Sequence, residues 1–520
     1  MRTPRHPLVP HLPRHPLVPH PPRRGRPSRL LAGLVLTPFL AGCFAASGDD
    51  GAAPGSGDGS RLRVALAFPP AENLSPYGAD ATILSRLGVT EGLTTLDANG
   101  AAAPSLAASW RREDDRTWLF TLREAAFQDG TDVTPAAVAA SLTHATEAEP
   151  APAALSGVTL TAKAEGGSGV RVTTTAPDPV LPLRLAGPGL VVLAPKAYAK
   201  KGTVDPAGTA TGPFRLTEVT GADAAGLDRF DDYWGGRAQA SGVDVRFIAD
   251  GTARANALRT GQVDLAEAIP VAQAATLDAG SRRETATTRT TSLLLNTRSG
   301  VFEDRALRAA ARAAVDTSAL AEGVYEGHAD AGAGIYGPAV TWAEGKRVRP
   351  TGRAEAGRPG GAAITLATYD NRPELPEVAQ VLKQQLEKAG FTVKLEVREY
   401  SRLESDALAG RFDAFVGARN SLLDTGDPLS LLASDFTCDG GYNLALLCDK
   451  AVDRAVGTAR AAADTDERQN ATMAAEAKVL GTDAVVPLVH QRVITGVGAG
   501  VGGALLDPYE RTLVGTGTRR

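Results

Sequence analysis

The chain has 520 residues, of which 43% are hydrophobic, and this is enough apolar material for more than one folded unit. Its 56 glycines and 34 prolines are typical of many short elements joined by turns and argue against a long-helix bundle. The formal charge is −4, and because seven arginines and no acidic residue precede Cys43, 48 basic and 59 acidic side chains follow it. This acidic balance argues against nucleic acid as a partner.

The first 43 residues have the composition of a targeting segment. A basic stretch precedes the apolar residues 30–40, which are too few for a permanent membrane span. They end in Leu40-Ala41-Gly42-Cys43, which resembles a bacterial lipoprotein box and implies cleavage before Cys43, with lipid on its thiol. The alternative is an ordinary secretory signal with an incidental cysteine. Residues 44–60 are rich in Gly, Ala, Ser and Asp and are predicted to form a flexible tether.

The folded part is predicted to begin at residue 61. Alternating apolar residues between 62 and 68, and again between 118 and 123, indicate strands with one buried face. Thr134 followed by Pro135 predicts the N-cap and first residue of a helix.

Two later stretches predict strand–helix–strand units. In the first, residues 243–248 form a strand, Thr252 caps a helix that ends at Gly261, and residues 263–265 form the next strand. In the second, a helix over 376–389 lies between strands at 364–367 and 393–397. Such units place their strands in parallel with a right-handed crossover. Another strand is predicted at 412–416.

Three stretches carry a family resemblance. They are Pro-Ser-Leu-Ala-Ala-Ser-Trp at 104–110 with Phe-Gln-Asp-Gly-Thr at 127–131, then Thr-Gly-Pro-Phe at 211–214 with Tyr-Trp-Gly-Gly at 233–236, then Leu-Leu-Leu-Asn-Thr at 293–297. Together they resemble the signature of the extracytoplasmic solute-binding proteins that feed peptide and nickel ABC transporters. The resemblance implies an α/β, two-lobed periplasmic-binding-protein-like fold of class II, cluster C, with a hinge between the lobes.

On this resemblance we expect lobe I at residues 61–289, with a return at 485–520, and lobe II at 290–484. The ligand would lie between the lobes, and their closure would present a docking face to the permease subunits of an ABC importer. We expect a monomeric, lipid-anchored, extracytoplasmic component that captures di- or oligopeptides, with no enzymatic activity and no cofactor. A binder of a nickel or other metal chelate, a sugar or an opine remains open, as does a lipid-anchored signalling receptor.

The main site hypothesis concerns Asp424, which precedes Gly-Asp-Pro at 426–428. In the dipeptide-binding branch of the family, the acid ahead of Gly-Asp-Pro pairs with the free amino terminus of the ligand, and the resemblance carries this role to Asp424. Asp427 is a second ligand-binding candidate. Either acid equally suits a turn without any ligand. Dipeptide binders usually carry a Trp slightly earlier, whereas residues 419–423 read Arg-Asn-Ser-Leu-Leu, so the ligand class stays open.

Other candidates are the remaining cysteines and three aromatic residues. Cys438 and Cys448 are an even pair once Cys43 is assigned to lipid, which predicts a disulfide in an oxidising compartment, with two free thiols as the alternative. The candidate walls of the ligand cleft are Trp342, Tyr336 and Tyr442, with core packing as the alternative for each. The histidines after Cys43 lie far apart in the sequence, so we predict no metal site and no nucleophile–base pair.

Overall fold

The computed structural model describes residues 60–155, 157–200 and 202–520. Cys43, the predicted targeting segment and all but the last residue of the predicted tether lie outside the described residues. The strands are β1 Leu62–Leu66, β2 Thr94–Leu96, β3 Ala102–Pro104, β4 Ala107–Arg112, β5 Thr117–Leu122, β6 Leu160–Glu165, β7 Gly169–Thr174, β8 Phe214–Thr220, β9 Ala224–Arg229, β10 Gly242–Phe247, β11 Leu265–Ala266, β12 Arg282–Leu295, β13 Ala329–Ala331, β14 Ala363–Tyr369, β15 Thr392–Arg398, β16 Ala414–Asn420 and β17 Val485–Val497.

The helices alternate with these strands along most of the chain. They are α1 Ala81–Arg86, α2 Pro135–Thr146, α3 Leu181–Arg184, α4 Gly251–Arg259, α5 Val271–Ala274, α6 Arg305–Ala314, α7 Thr317–Ala319, α8 Glu374–Lys388, α9 Glu404–Leu408, α10 Leu429–Phe436, α11 Lys450–Ala461 and α12 Thr465–Gly481. In the described part of the chain, no helix is long and apolar enough to cross a membrane.

Two long antiparallel strands, β12 and β17, form the middle of the main sheet. On the β12 side the order continues through β16, β14 and β15, and on the β17 side through β11, β1, β10, β9 and β8. The pairing of β12 with β17 is interrupted between Ala286 and Thr290, where the register shifts. Two groups of strands are therefore joined through one pair of long strands, as a two-lobed fold requires, while the predicted lobe boundaries stay predictions.

Both predicted strand–helix–strand units are present. β10 and β11 each pair in parallel with β1, and β14 pairs in parallel with β15 across α8. The predicted cap of α4 is wrong, because the carboxylate of Asp250 accepts a hydrogen bond from the Ala253 amide at 2.7 Å, which places Thr252 inside the helix. Asp is a strong N-cap residue, and here it lies two positions before the predicted threonine.

A separate four-stranded sheet, in the order β4-β5-β7-β6, packs against α2. Thr134 caps this helix as predicted, since its hydroxyl accepts a hydrogen bond from the Ala137 amide at 3.2 Å. Phe120, Val138 and Leu142 are buried in the same apolar cluster. Each such side chain contributes about 1.5–3 kcal/mol of burial free energy, so this sheet has a core of its own.

Candidate functional site

Segments from both sides of the β12–β17 pair meet at one place, which we call the junction. It contains the residues after β1, after β14 and after β16, together with the C-terminal loop 507–511. Phe68 after β1 lies under the guanidinium of Arg372 after β14, 5.6 Å from ring centroid to Cζ. Asn420, the last residue of β16, donates a hydrogen bond to Glu510 of the loop at 3.1 Å. The ends of distant strands from both sides of the pair are thus brought together, and small-molecule sites occur preferentially at such interfaces.

Asp424 lies exposed at the junction on the segment that follows β16. Among the described residues its carboxylate has no hydrogen bond or ion pair. Its backbone is fixed, because the Gly426 amide donates to the Leu183 carbonyl at 3.0 Å. A Cβ at Gly187 would lie 2.3 Å from the Asp424 carbonyl oxygen, so this approach requires glycine. A rigid backbone therefore presents a free carboxylate, as an anchor for a cation needs.

Both carboxylate oxygens of Asp427 are bonded to other parts of the chain. One carboxylate oxygen accepts a hydrogen bond from the Leu429 amide at the start of α10 at 3.2 Å, and the other pairs with Arg468 of α12. The side chain is buried. These contacts favour the turn role that the sequence left open for Asp427.

Tyr336 and Trp342 belong to an apolar core rather than to an exposed wall of a cleft. Tyr336 is a buried member of this core, and Trp342 packs against it. Tyr336 is fully buried, and its hydroxyl donates to the Pro428 carbonyl at 2.8 Å. Burial raises the pKa of Tyr336 well above its usual value, so it remains a neutral donor. Trp342 is half-buried, with its ring centroid 6.5 Å from that of Tyr336. The contacts favour core packing for both, and Tyr336 is bonded to the backbone of the segment that carries Asp424.

Tyr442 contacts charged residues near the junction. It lies in the loop closed by the disulfide between Cys438 and Cys448. Its hydroxyl bonds that of Tyr400, and the guanidinium of Arg419 lies 4.2 Å from its ring centroid. Burial raises the pKa of Tyr442 to about 12.

Arg419 contacts the ring of Tyr442 and also pairs with the carboxylate of Asp435. Its Nε donates to an oxygen of Asp435 at 2.9 Å and its Nη2 to the other at 3.2 Å. Burial alone would lower the pKa of Arg419, but Asp435 raises it above the ordinary value, and Asp424 contributes in the same direction. Arg419, one of the residues that stand in place of the expected Trp, is therefore a permanent cation within the field of Asp424.

Arg372 and Phe68 are functional candidates that the sequence reasoning missed. Arg372 is half-buried, and in the described part of the chain its guanidinium has no hydrogen bond or ion pair. Burial, followed by repulsion from Arg289, lowers its pKa. Phe68 is 38% exposed, which is unusual for so large an apolar side chain. The sequence could have indicated these two residues only by their position. Each follows the carboxyl end of a strand that pairs in parallel with a neighbour, and ligands tend to bind at such ends.

A second missed group is the ionic network around Glu510. Arg289 donates from Nε and Nη2 to the two carboxylate oxygens of Glu510, at 3.0 and 2.9 Å. Arg86 also reaches this carboxylate, with Nη2 at 3.4 Å, and pairs with Glu267. Burial alone would raise the pKa of Glu510, but Arg289 and the other guanidiniums lower it to about 2. Arg86 and Arg289 are both bonded to acids, whereas Arg372 has no acid bonded to it among the described residues.

Metal binding by side chains has no support in the described residues, where no group of three or more His, Cys, Asp or Glu side chains could hold an ion. His490 is buried, its Nδ1 lies 2.9 Å from the Thr290 hydroxyl, and burial lowers its pKa to about 4. The charged side chains of the junction include those of Asp424, Arg372 and Arg419.

Known proteins share both the sequence pattern and the fold. The family model for bacterial extracellular solute-binding proteins, family 5 middle region, matches residues 101–443. The glutathione-binding protein GsiB of Shigella dysenteriae is 26% identical over 496 residues, which cover 90% of this chain and 94% of GsiB.

Two solved structures show the same fold. NikA from Staphylococcus aureus in complex with Ni(L-His)2 has a TM-score of 0.75 and 20% identity, over 88% of this chain and 99% of that one. DppA from Helicobacter pylori in complex with the peptide STSA has a TM-score of 0.75 and 20% identity, over 88% and 98%. The predicted two-lobed, periplasmic-binding-protein-like α/β fold is thereby confirmed. The chain belongs to the bacterial extracellular solute-binding proteins of family 5, a family of binding proteins rather than enzymes.

Proposed function

We propose that this extracytoplasmic protein, the substrate-binding component of an ABC importer, captures a short peptide with free ends. Asp424 binds the ammonium group of the ligand and Arg372 binds its carboxylate. The observation that carries the proposal is the presence, at one junction, of an acid and a base that have no ionic partner among the described residues. A zwitterionic ligand supplies both missing partners.

Desolvation of the two ends of the ligand makes Asp424 and Arg372 selective. When the cleft closes around a ligand, water leaves, and a charge-assisted hydrogen bond to each end becomes stronger than in solution. A blocked amino terminus would leave Asp424 desolvated without a partner, which costs more than the bond itself contributes. The pair therefore selects for free ends rather than for particular side chains.

The relatives support a peptide-like ligand at a coarse level. GsiB is a glutathione-binding protein, and the DppA structure contains a peptide. In the proposed arrangement, lobe I consists of residues 61–289 and 485–520, lobe II of residues 290–484, and the ligand lies between them. The protein works as a monomer, held at the membrane through lipid on Cys43, and delivers the ligand to permease subunits.

An anionic chelate or an opine is the second candidate. The observation that favours it is the excess of arginine at the junction, where Arg419 lies in the field of Asp424 and weakens the attraction of that acid for a second cation. A ligand with several carboxylates and little positive charge would suit such a cleft.

Calorimetric titration separates the two candidates. The protein, prepared with Cys43→Ser to avoid lipid, is titrated with trialanine, N-acetyl-trialanine, trialanine amide and the anionic chelate of nickel with EDTA. We expect trialanine to bind and each blocked peptide to bind at least tenfold more weakly. Binding of the chelate together with indifference to all three peptides would overturn the peptide proposal.

A further inference from the structure

The C-terminal loop 507–511 is held in a fixed shape. The carboxylate of Asp507 accepts hydrogen bonds from the amides of Tyr509, Arg511 and Thr512, at 2.8, 2.8 and 2.9 Å. Glu510 has φ +59°, a left-handed conformation that costs free energy in a residue with a side chain. The surrounding contacts must therefore favour this conformation, which directs the Glu510 side chain into the junction.

The loop, which belongs to predicted lobe I, is bonded to the rest of that lobe. Arg86 at the end of α1 donates from Nε to the Glu510 carbonyl at 2.8 Å and from Nη2 to its carboxylate at 3.4 Å. Ser85 donates to the Arg511 carbonyl at 2.8 Å, and Arg511 donates to the Ala186 carbonyl at 2.8 Å.

The same loop is also bonded to predicted lobe II and to the long strand between the lobes. Asn420 donates to the Glu510 carboxylate at 3.1 Å, and Arg511 donates from Nη2 to the Leu422 carbonyl. The amide of Thr288, in the interruption of the β12–β17 pairing, donates to the Pro508 carbonyl at 3.0 Å. Pro508, Glu510 and Arg511 of one loop thus connect both sides of the cleft at the point where the long strands are irregular.

Charge links this loop to the ligand site. Arg289 and Arg372 repel each other, and both are attracted by the carboxylate of Glu510. Without the charge of Glu510, two guanidiniums would be held close together in a poorly solvated place. A carboxylate from a ligand at Arg372 would relieve the same repulsion from the other side.

We propose that the loop 507–511 is a clasp that holds the two lobes together, and that Glu510 is a positioning residue that couples closure of the cleft to capture of a carboxylate at Arg372. The coupling rests on the proposed function, since it requires a ligand with a carboxylate. By reciprocity, whatever closes the cleft strengthens ligand binding, and the ligand strengthens closure to the same degree.

Small-angle X-ray scattering of the ligand-free protein tests the clasp without any ligand. Compared with the unaltered chain, Glu510→Gln is expected to increase the radius of gyration, because Arg289 then faces Arg372 without a shared anion. The double variant Glu510→Gln with Arg289→Gln is expected to return toward the compact value, since the repulsion is gone. Glu113→Gln is the matched control, because Glu113 pairs with Arg171 on the separate sheet.

Trialanine is the probe for the coupling. We expect Glu510→Gln to weaken trialanine binding about 5- to 150-fold, the range of ordinary coupling between sites. We also expect trialanine to reduce the radius of gyration of this variant. If the unaltered protein does not bind trialanine, the proposed function fails, while the scattering comparison still decides on the clasp.

Three results would overturn the clasp: a Glu510→Gln protein as compact as the unaltered chain, an expansion that persists in the double variant, or the same expansion in Glu113→Gln. If Glu510→Gln does not fold, Asn420→Ala carries the test, because it removes bonds to Glu510 and Tyr509 without leaving a charge unpaired. An unchanged radius in that variant contradicts the proposal.

Discussion

Arg289 donates two parallel hydrogen bonds to the carboxylate of Glu510, from Nε to Oε1 at 3.0 Å and from Nη2 to Oε2 at 2.9 Å, although the two residues are 221 positions apart in the sequence. This fork is the strongest geometry open to a guanidinium and a carboxylate, and it is buried. Removing one partner of such a pair leaves an uncompensated charge in a poorly solvated place. The fork therefore fixes the C-terminal loop against the long strand β12.

The first prediction concerns the acid stability that Glu510 confers. Its pKa is 4.5 in the unfolded chain and about 2 in the fold. A depressed pKa stabilises the fold above pH 4.5, and this contribution, about 3 kcal/mol by linkage, is lost as the pH falls toward 2. Urea unfolding of the unaltered chain and of Glu510→Gln at a series of pH values should show a shallower decline for the variant below pH 4.5. Parallel declines would contradict the account.

The second prediction concerns His490, which the fold holds neutral. Burial lowers its pKa from 6.5 to about 4, so its contribution is complete above pH 6.5 and decreases as the pH falls through that interval. The loss amounts to roughly 3 kcal/mol. In His490→Gln the decline in the free energy of unfolding between pH 6.5 and pH 4 should be smaller than in the unaltered chain by this amount. An identical pH profile for the variant and the unaltered chain would show that the fold does not lower the pKa of His490.

The third prediction uses two glycines as a matched pair. Gly187→Ala would place a Cβ 2.3 Å from the Asp424 carbonyl oxygen, whereas Gly167→Ala would meet no atom within 4 Å. The first change must displace the Asp424 segment, so we expect it to weaken peptide binding about tenfold or more, as a misplaced anchor does. The second should leave binding unchanged. Equal peptide affinities for the two variants, measured by calorimetry, would show that the position of the Asp424 backbone does not affect ligand binding.

The fourth prediction concerns the disulfide between Cys438 and Cys448. Its removal in a Cys438→Ser, Cys448→Ser protein should lower the free energy of unfolding by about 3 kcal/mol in the loop-entropy account. Because Tyr442 lies inside this loop and packs on Arg419, peptide affinity should fall as well. A reducing agent should reproduce both effects in the unaltered chain and have no effect on the double variant. If affinity is unaffected while stability falls, Tyr442 does not contribute to the site.

Local sequence patterns predicted the elements that are determined locally. The cap at Thr134, the parallel units around α4 and α8, and the alternation in β5 all follow from a few adjacent residues. The cap at Asp250 was missed because Thr and Asp two positions apart are both good caps, and only the chain direction before the helix decides between them.

The candidate site was less accessible from sequence. Asp424 could be proposed because a motif surrounds it. Arg372 and Glu510 carry no motif, and nothing local distinguishes them from other charged residues. The roles proposed for them depend on tertiary packing, which brings Arg289 to Glu510 and leaves Arg372 without a bonded acid among the described residues, and no periodicity encodes such contacts.

The most direct measurement of the central claim is native mass spectrometry of the Cys43→Ser protein, purified without denaturation, stripped of ligand and then exposed to a mixture of dipeptides and tripeptides. We expect a bound mass that matches a peptide with free ends, and the loss of this mass in both Asp424→Asn and Arg372→Gln while each variant stays folded. A protein that retains no peptide from the mixture, or variants that retain it as well as the unaltered chain, would contradict the account.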